Sequence, residues 1–392
     1  MRRTIVIGIV MVLLMLVSVT VAWAGNAKDT QSGGEKVKVI IGFADKPNHA
    51  DEDMIRGHGG KTKYTYHIID AKAVEIPEQA IDRIKRNPRV AYVEEDAEVR
   101  VLEETLPWGV DRIDADVVHA GGNTGAGVRV AIIDTGIDYN HPDLDDNYVA
   151  GYDFVNDDDD PMDDDGHGTH CAGIVAAKDN DIGVVGVAPD ADIYAVKVLD
   201  DTGSGYMSDV AAGIEWAMDN EAQIISMSLG SDYPSRTVRD ACYAAYESGI
   251  LIVAAAGNYH DRYTPHGKLI KVDTSVDYPA RYDSAIAVGA TDSSDVIASF
   301  SCTGPDVELA APGVSILSTV LGGGYDSYSG TSMACPHVAG TAALVIASDP
   351  NLTNDEVRGR LRDTADDLGA PGFDHLYGYG LVDADEAILT PP

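Results

Sequence analysis

VRVAIID (residues 128–134) is apolar at every position but its second and its last, so it reads as a strand with both faces buried, ending on Asp134. Four later runs share that character: ADIYAVKVL (191–199), QIISMSL (223–229), ILIVAAAG (250–257) and AIAVGAT (285–291). Between them, residues 167–177, 207–220 and 235–248 carry helical spacing. Strands of this kind alternating with helices predict a parallel sheet covered on both faces, hence a three-layer α/β domain. Such sheets bind ligands beyond the carboxyl ends of their strands, which is where Asp134 stands.

N-terminal to this domain the pattern differs. VKVIIGF (37–43) alternates like a strand, Ala80, Ile81 and Ile84 fall at helical spacing within 78–87, and AYVEEDAEV (91–99) is strand-like again. Together they predict a small α+β unit over roughly residues 36–102, preceded by a polar stretch at 25–36. At the extreme N-terminus Arg2 and Arg3 precede an apolar run (4–21), and Ala22-Trp23-Ala24 offers the small residues that a signal peptidase requires. Residues 1–24 therefore read as an export signal, and a transmembrane anchor is the competing reading that the length permits.

The formal charge of −36 is unevenly spread: residues 25–102 carry 13 Lys+Arg against 14 Asp+Glu, residues 103–392 carry 13 against 50. A field of that sign disfavours nucleic acid and anionic membranes as partners and favours cations and high solubility. A saline medium would suit such a surface, and acidic loops that chelate cations would give the same sign. The four cysteines, Cys171, Cys242, Cys302 and Cys335, match no metal-binding spacing. Both a disulfide framework and small buried thiols are compatible with them.

Two further segments carry chemistry. In GHGTHCAG (166–173), glycines flank His167 ahead of an apolar helix, as suits a site that backbone must approach closely; alone, His167 or His170 would read as a metal ligand or a structural histidine. With no HExxH and no cysteine at zinc spacing, zinc is disfavoured. In GTSMACPHVAG (330–340), Ser332 stands at the start of an apolar helix running to about residue 346, where free N–H groups favour a negative oxygen; alone, it would read as an ordinary N-cap.

AIIDTGID (131–138), GHGTHCAG and GTSMACPHVAG, in the order Asp, His, Ser and 33 and 165 residues apart, resemble the three signature blocks of the subtilisin-like serine proteases. The resemblance implies that Ser332 is the nucleophile, His167 the base and Asp134 the group that orients His167, with His170 merely packed behind. AAAGN (254–258) resembles the oxyanion segment, making Asn258 a donor beside the Ser332 N–H. Ser228, Leu229, Gly230, Ala255 and Gly257 resemble the walls of the pocket for the residue before the scissile bond; being uncharged, they lead us to expect a preference for apolar or aromatic side chains. Gly203, Ser204 and Gly205 resemble the edge strand that pairs with extended substrate, which implies broad specificity for proteins and peptides.

The same resemblance implies calcium. Side chains of Glu104, Asp143 and Asn180 with carbonyls of Lys178, Ile182 and Val184 match the family's tight site. The run NDDDDPMDDDG (156–166) resembles a second calcium loop, with Asp153, Asp157, Asp160 and Asp165 as ligands, and Asp306 with Glu308 a weaker one. AYVEEDAEVRVL (91–102) resembles the end of an inhibitory propeptide and LPWGVDRI (106–113) the start of a mature enzyme, implying self-cleavage after Leu102. The expected organisation is thus a signal (1–24), a prodomain acting as intramolecular inhibitor (25–102) and a peptidase domain (103–392), secreted, monomeric and without stable membrane association. The alternative from another class is a catalytically silent calcium-binding surface module of the same fold. An esterase shares the triad chemistry, but the substrate-pairing segment favours peptides.

Overall fold

The computed structural model describes residues 36–96, 104–263, 269–273 and 275–389. The residues read as leader (1–24) and the processing residue Leu102 lie outside them. The chain divides into two compact units, 1–100 and 101–392.

In the first unit the strands β1 (Lys36–Phe43), β2 (Lys61–Thr65), β3 (Ala71–Pro77) and β4 (Val90–Glu95) form an antiparallel sheet in the order β2-β3-β1-β4. Helices α1 (His49–Gly57) and α2 (Ile81–Lys85) supply Ile55 and Ile84 to a small core with Val39, Ile41, Val74 and Ile76. α1 opens on a capping box: Asn48 accepts from the Ala50 N–H, and Asp51 returns a bond to the Asn48 N–H. Sequence reading found β1, the helical turn and β4; α1, β2 and β3 went unread.

The second unit begins with short helices α3 (Trp108–Arg112) and α4 (Ala115–Ala120). There follow β5 (Arg129–Asp134), β6 (Tyr148–Asp153), α5 (His167–Ala176), β7 (Asp192–Lys197), α6 (Met207–Asp219), β8 (Ile224–Met227), α7 (Arg236–Glu247) and β9 (Leu251–Ala255). After a hairpin, β10 (His260–Tyr263) with β11 (Leu269–Asp273), come β12 (Ile286–Thr291), β13 (Leu309–Pro312), a second hairpin of β14 (Ile316–Val320) and β15 (Gly324–Tyr328), then α8 (Thr331–Ser348), α9 (Asn354–Asp363) and α10 (Ala384–Leu389). Seven strands form one parallel sheet in the order β13-β12-β9-β8-β5-β7-β6.

The β period of two divides the core into layers. From β5, Val130 and Ile132 pack with Ala172 and Val175 of α5 and Val338 and Val345 of α8, while Ala131 and Ile133 pack on the opposite face with Ile214 of α6 and Val238 of α7. α8 is apolar enough and long enough to cross a membrane, yet 78% of it is buried, as befits the central helix of this domain. The five strands read from the sequence are β5, β7, β8, β9 and β12. The two edge strands, β6 and β13, were not read, because one is only half-buried and the other is four residues ending on a proline that an edge tolerates.

Candidate active site

The carboxyl end of β5 carries Asp134, fully buried, with Oδ1 accepting from the Thr135 N–H (2.8 Å) and from His167 Nδ1 (2.7 Å). Its Oδ2 is buried with no donor among the described residues, so the Asp134 charge is balanced chiefly by His167. The turn beyond the strand needs glycine: Gly136 has φ +106°, and α5 comes so close that a Cβ on Gly168 would lie 2.2 Å from the Gly136 carbonyl oxygen. The Gly168 N–H donates to Thr135 Oγ1 (2.8 Å), bolting the His167 helix onto the Asp134 turn.

Two residues to which the sequence reading gave no role hold this assembly. Asp163, buried in the acidic loop, caps α5: Oδ1 accepts from the N–H groups of Asp165 and Gly166, and Oδ2 from the N–H and hydroxyl of Thr169. Lys197, 1% exposed, donates to the carbonyls of Thr135 (2.7 Å) and Leu199 (3.0 Å) and to Asp164 (2.6 Å), tying the ends of β5 and β7 to the same loop.

Ser332 stands in the first turn of α8. Proline at 336 has no N–H for the Ser332 carbonyl, which accepts instead from Ser228 Oγ (2.8 Å) and the Cys171 thiol (3.5 Å). Ser332 Oγ in turn donates to the Ser228 carbonyl (3.1 Å), so rotation about its Cα–Cβ bond must precede any transfer to His167. Asn258 Oδ1 accepts from the Thr331 N–H (3.1 Å), which leaves the Nδ2 donor beside Gly330 and the start of α8.

Burial opposes protonation of His167, but the Asp134 carboxylate more than offsets it, and the imidazole pKa is raised well above its ordinary value of 6.5. Only the neutral ring can accept a proton from a hydroxyl. Peptide hydrolysis is therefore expected to rise with pH through a single titration above the ordinary histidine range and to be lost below it. A kcat/KM–pH profile checks this, and an acid limb centred at or below about 6.5 contradicts it. His170 is the opposite case: burial lowers its pKa to about 4, its Nε2 meets the carbonyls of Ile316 and Asp326, and its ring stacks on Tyr328, so it serves packing. Asp134, His167 and Cys171 also present ligand atoms within 4.8 Å of one another. Burial raises the Cys171 pKa, whereas a metal binds the thiolate, and His167 Nδ1 is already committed to Asp134.

A cleft of about 680 Å³ opens beside His167, and Gly203, Ser204, Gly205, Ser228, Leu229 and Gly230 are among the residues that line it. Ala255 ends β9, buried, and the Gly257 N–H donates to Thr331 Oγ1 (3.1 Å). Asp165 lines the same cleft, and a Cβ on Gly257 would lie 2.2 Å from a carboxylate oxygen of Asp277.

The structure gathers Glu104, Asp143 and Asn180. Glu104 Oε1 accepts from the Asn180 N–H (2.8 Å), and the Asn180 amide donates to Asp143 (3.1 Å). The turn through Ile182 and Val184 closes over them, with the Ile182 N–H on Asn180 Oδ1 and the Val184 N–H on Asp143 Oδ2. The Lys178 ammonium turns away to Asn147 and Asp190.

The acidic loop holds the four aspartates read as a second calcium set. Asp153 accepts from the N–H groups of Val155 and Asn156, Asp157 from the Tyr152 hydroxyl, Asp160 from that of Tyr139, and Asp165 from the His167 N–H. Among the described residues no three of these carboxylates converge. Glu308 is held by Arg358 (2.7 Å) and Arg362 (2.6 Å), and Asp306 faces Arg281, so protein cations stand beside both carboxylates. All four cysteines are buried, and none forms a disulfide with another.

Comparison with known proteins gives this geometry a lineage. A family described as "Subtilase family" matches residues 125–380, and one described as "Peptidase inhibitor I9" matches 43–102. The chain is 45% identical over 362 residues to Subtilisin E of Bacillus subtilis (strain 168), covering 91% of each. It is 45% identical over 324 residues to an alkaline protease of Shouchella clausii, covering 83% of this chain and 80% of that one. To the thermostable alkaline protease of Halalkalibacterium halodurans it is 42% identical over 375 residues, covering 96% and 98%. The chain belongs to the subtilase family, a serine endopeptidase made as a zymogen with an I9 propeptide domain ahead of its catalytic domain.

Proposed function

We propose that the enzyme is secreted and cleaves peptide bonds with Asp134, His167 and Ser332. The observation that carries this reading is the 2.7 Å bond from His167 to buried Asp134 at the head of a cleft that Ser332 adjoins. An extended substrate lies between Gly203–Gly205 and Ser228–Gly230, its backbone pairing with both. Ser332 Oγ swings from the Ser228 carbonyl, gives its proton to His167 Nε2 and attacks the scissile carbonyl carbon. Asp134 keeps the His167 proton on Nδ1 and balances the imidazolium that forms. Asn258 Nδ2 and the Ser332 N–H receive the oxyanion, helped by the positive end of α8. His167 then protonates the leaving amine, and water attacks the acyl-enzyme by the same route. Treatment with a sulfonyl fluoride and peptide mapping tests the nucleophile: the adduct belongs on Ser332, and inhibition with the adduct elsewhere refutes the assignment.

Glu104, Asp143 and Asn180, with the Lys178, Ile182 and Val184 carbonyls, hold calcium. Two carboxylates and an amide are hard oxygen donors, and burial together with the charges of Asp179 and Asp143 raises the Glu104 pKa, a strain that a divalent cation relieves. A bound ion at 100–1,000 times its Kd adds about 3–4 kcal/mol, so chelation is expected to lower Tm by roughly 5–10 °C. Calorimetry with and without EDTA checks this, and an unchanged Tm contradicts it.

The signal at 1–24 and the acidic surface support action outside the cytoplasm, as a monomer on protein and peptide substrates. The propeptide domain supports an intramolecular inhibitor released by cleavage after Leu102.

A further inference from the structure

β5 and β7 run side by side and end in register, Asp134 opposite Lys197. Ile132 and Ala195, two residues back on each strand, lie in the core that α5 covers, so both end residues project from that same face. Lys197 is 1% exposed, and its ammonium donates to the Thr135 carbonyl (2.7 Å), the Leu199 carbonyl (3.0 Å) and Asp164 Oδ1 (2.6 Å). An ammonium has three N–H donors, and here each meets an acceptor. Burying such a charge is costly, and an apolar residue of similar volume often stabilises a fold as well or better. What the apolar residue cannot do is hold three acceptors from three segments in one arrangement.

Thr135 is the residue on which that arrangement bears. Its N–H donates to Asp134 Oδ1 (2.8 Å), the oxygen that also meets His167 Nδ1 (2.7 Å), and its Oγ1 accepts from the Gly168 N–H (2.8 Å) on the His167 helix. The Lys197 bond to its carbonyl fixes the residue from a third side, just ahead of Gly136 at φ +106°. Asp164 carries the anchor into the loop, between Asp163, which caps α5, and Asp165, which accepts from the His167 N–H. The Asp164 side chain is 52% exposed, so water as well as the ammonium meets its charge.

We infer that Lys197 is a positioning residue for the hydrolysis: its ammonium sets Thr135, and through Thr135 the Asp134 carboxylate, in the orientation that His167 requires. The inference rests on the peptidase reading above. The substrate edge has its own backbone bonds, with Leu199 bridged to Gly205 and the Asp200 N–H on the Ser204 carbonyl (2.8 Å), so it does not depend on the ammonium in the same way. Losing Lys197 therefore acts on turnover more than on binding, since a shift of about 1 Å at a catalytic group costs up to about a hundredfold.

The test compares self-processed Lys197→Met and Asp164→Ala with the unsubstituted enzyme by steady-state peptide hydrolysis and by proton NMR of the Asp134–His167 hydrogen bond, which needs no turnover. Lys197→Met is expected to lower kcat by about ten- to a hundredfold with KM within about threefold, and to shift or broaden the far-downfield Nδ1 proton resonance of His167. Asp164→Ala leaves the ammonium its two carbonyls and is expected to act in the same direction, lowering kcat by about three- to tenfold, the range of one ordinary hydrogen bond. Unchanged kcat and an unchanged resonance in folded Lys197→Met, whatever its Tm, overturn the inference, and so does a loss confined to KM. If Lys197→Met does not fold or mature, Asp164→Ala decides by the same two readouts. If the unsubstituted enzyme cleaves no peptide, the peptidase reading fails by itself and the resonance alone decides Lys197: a change in the variant supports the positioning role, and no change overturns it.

Discussion

His167→Ala is expected to lower kcat by about 10⁶, or about 8 kcal/mol of transition-state stabilisation, a magnitude known from subtilisin itself and not from this geometry. The physical reason is that, among the described residues, Ser332 has no other base. Its hydroxyl donates there to the Ser228 carbonyl, which cannot take a proton, and the Cys171 thiol is kept protonated by burial. Adding Asp134→Ala to that variant is expected to cost little more, because Asp134 acts only through the imidazole it holds at 2.7 Å. Single-turnover hydrolysis of a peptide ester by the two variants checks this, and a double variant at least tenfold slower than the single one contradicts it.

Asn258→Leu is expected to lower kcat by about 10²–10³ with little change in KM, again a magnitude taken from subtilisin, because the amide meets the substrate oxygen fully only when it becomes an anion. The variant also removes Asn258 Oδ1 from the Thr331 N–H, so a looser α8 start would add to the loss. Asn258→Asp separates the two: it keeps the acceptor for Thr331 and loses the donor. Equal damage by both identifies the missing donor as the cause; near-normal turnover of Asn258→Asp would contradict the oxyanion role.

How much of this was legible in the sequence follows from what each residue answers to. β5 declared itself because burial on both faces forces apolar residues at Val130, Ala131, Ile132 and Ile133 alike, and α8 because it is apolar all round. β6, with residues such as Val149 turned to solvent, carries no such signature. The site's catalytic residues stood in dense motifs, since glycine, histidine and serine there answer to local geometry, as Gly168 does under the Gly136 carbonyl. Residues that act through long-range contacts did not show. Asp163 looked like one more aspartate in an acidic run, but burial and four donors make it the cap of α5. Nothing in the sequence marked that Arg358 and Arg362, fifty residues away and more, come to rest on Glu308.

The central claim is that one serine both releases the enzyme from its propeptide and hydrolyses substrate. The most direct measurement follows chain size and peptide hydrolysis for the full chain and for Ser332→Ala, each with and without calcium. The account predicts that only the unsubstituted chain shortens near Leu102 and then cleaves peptides, with calcium prolonging its activity. A Ser332→Ala chain that processes equally well, or a correctly folded unsubstituted chain that stays inert, would contradict it.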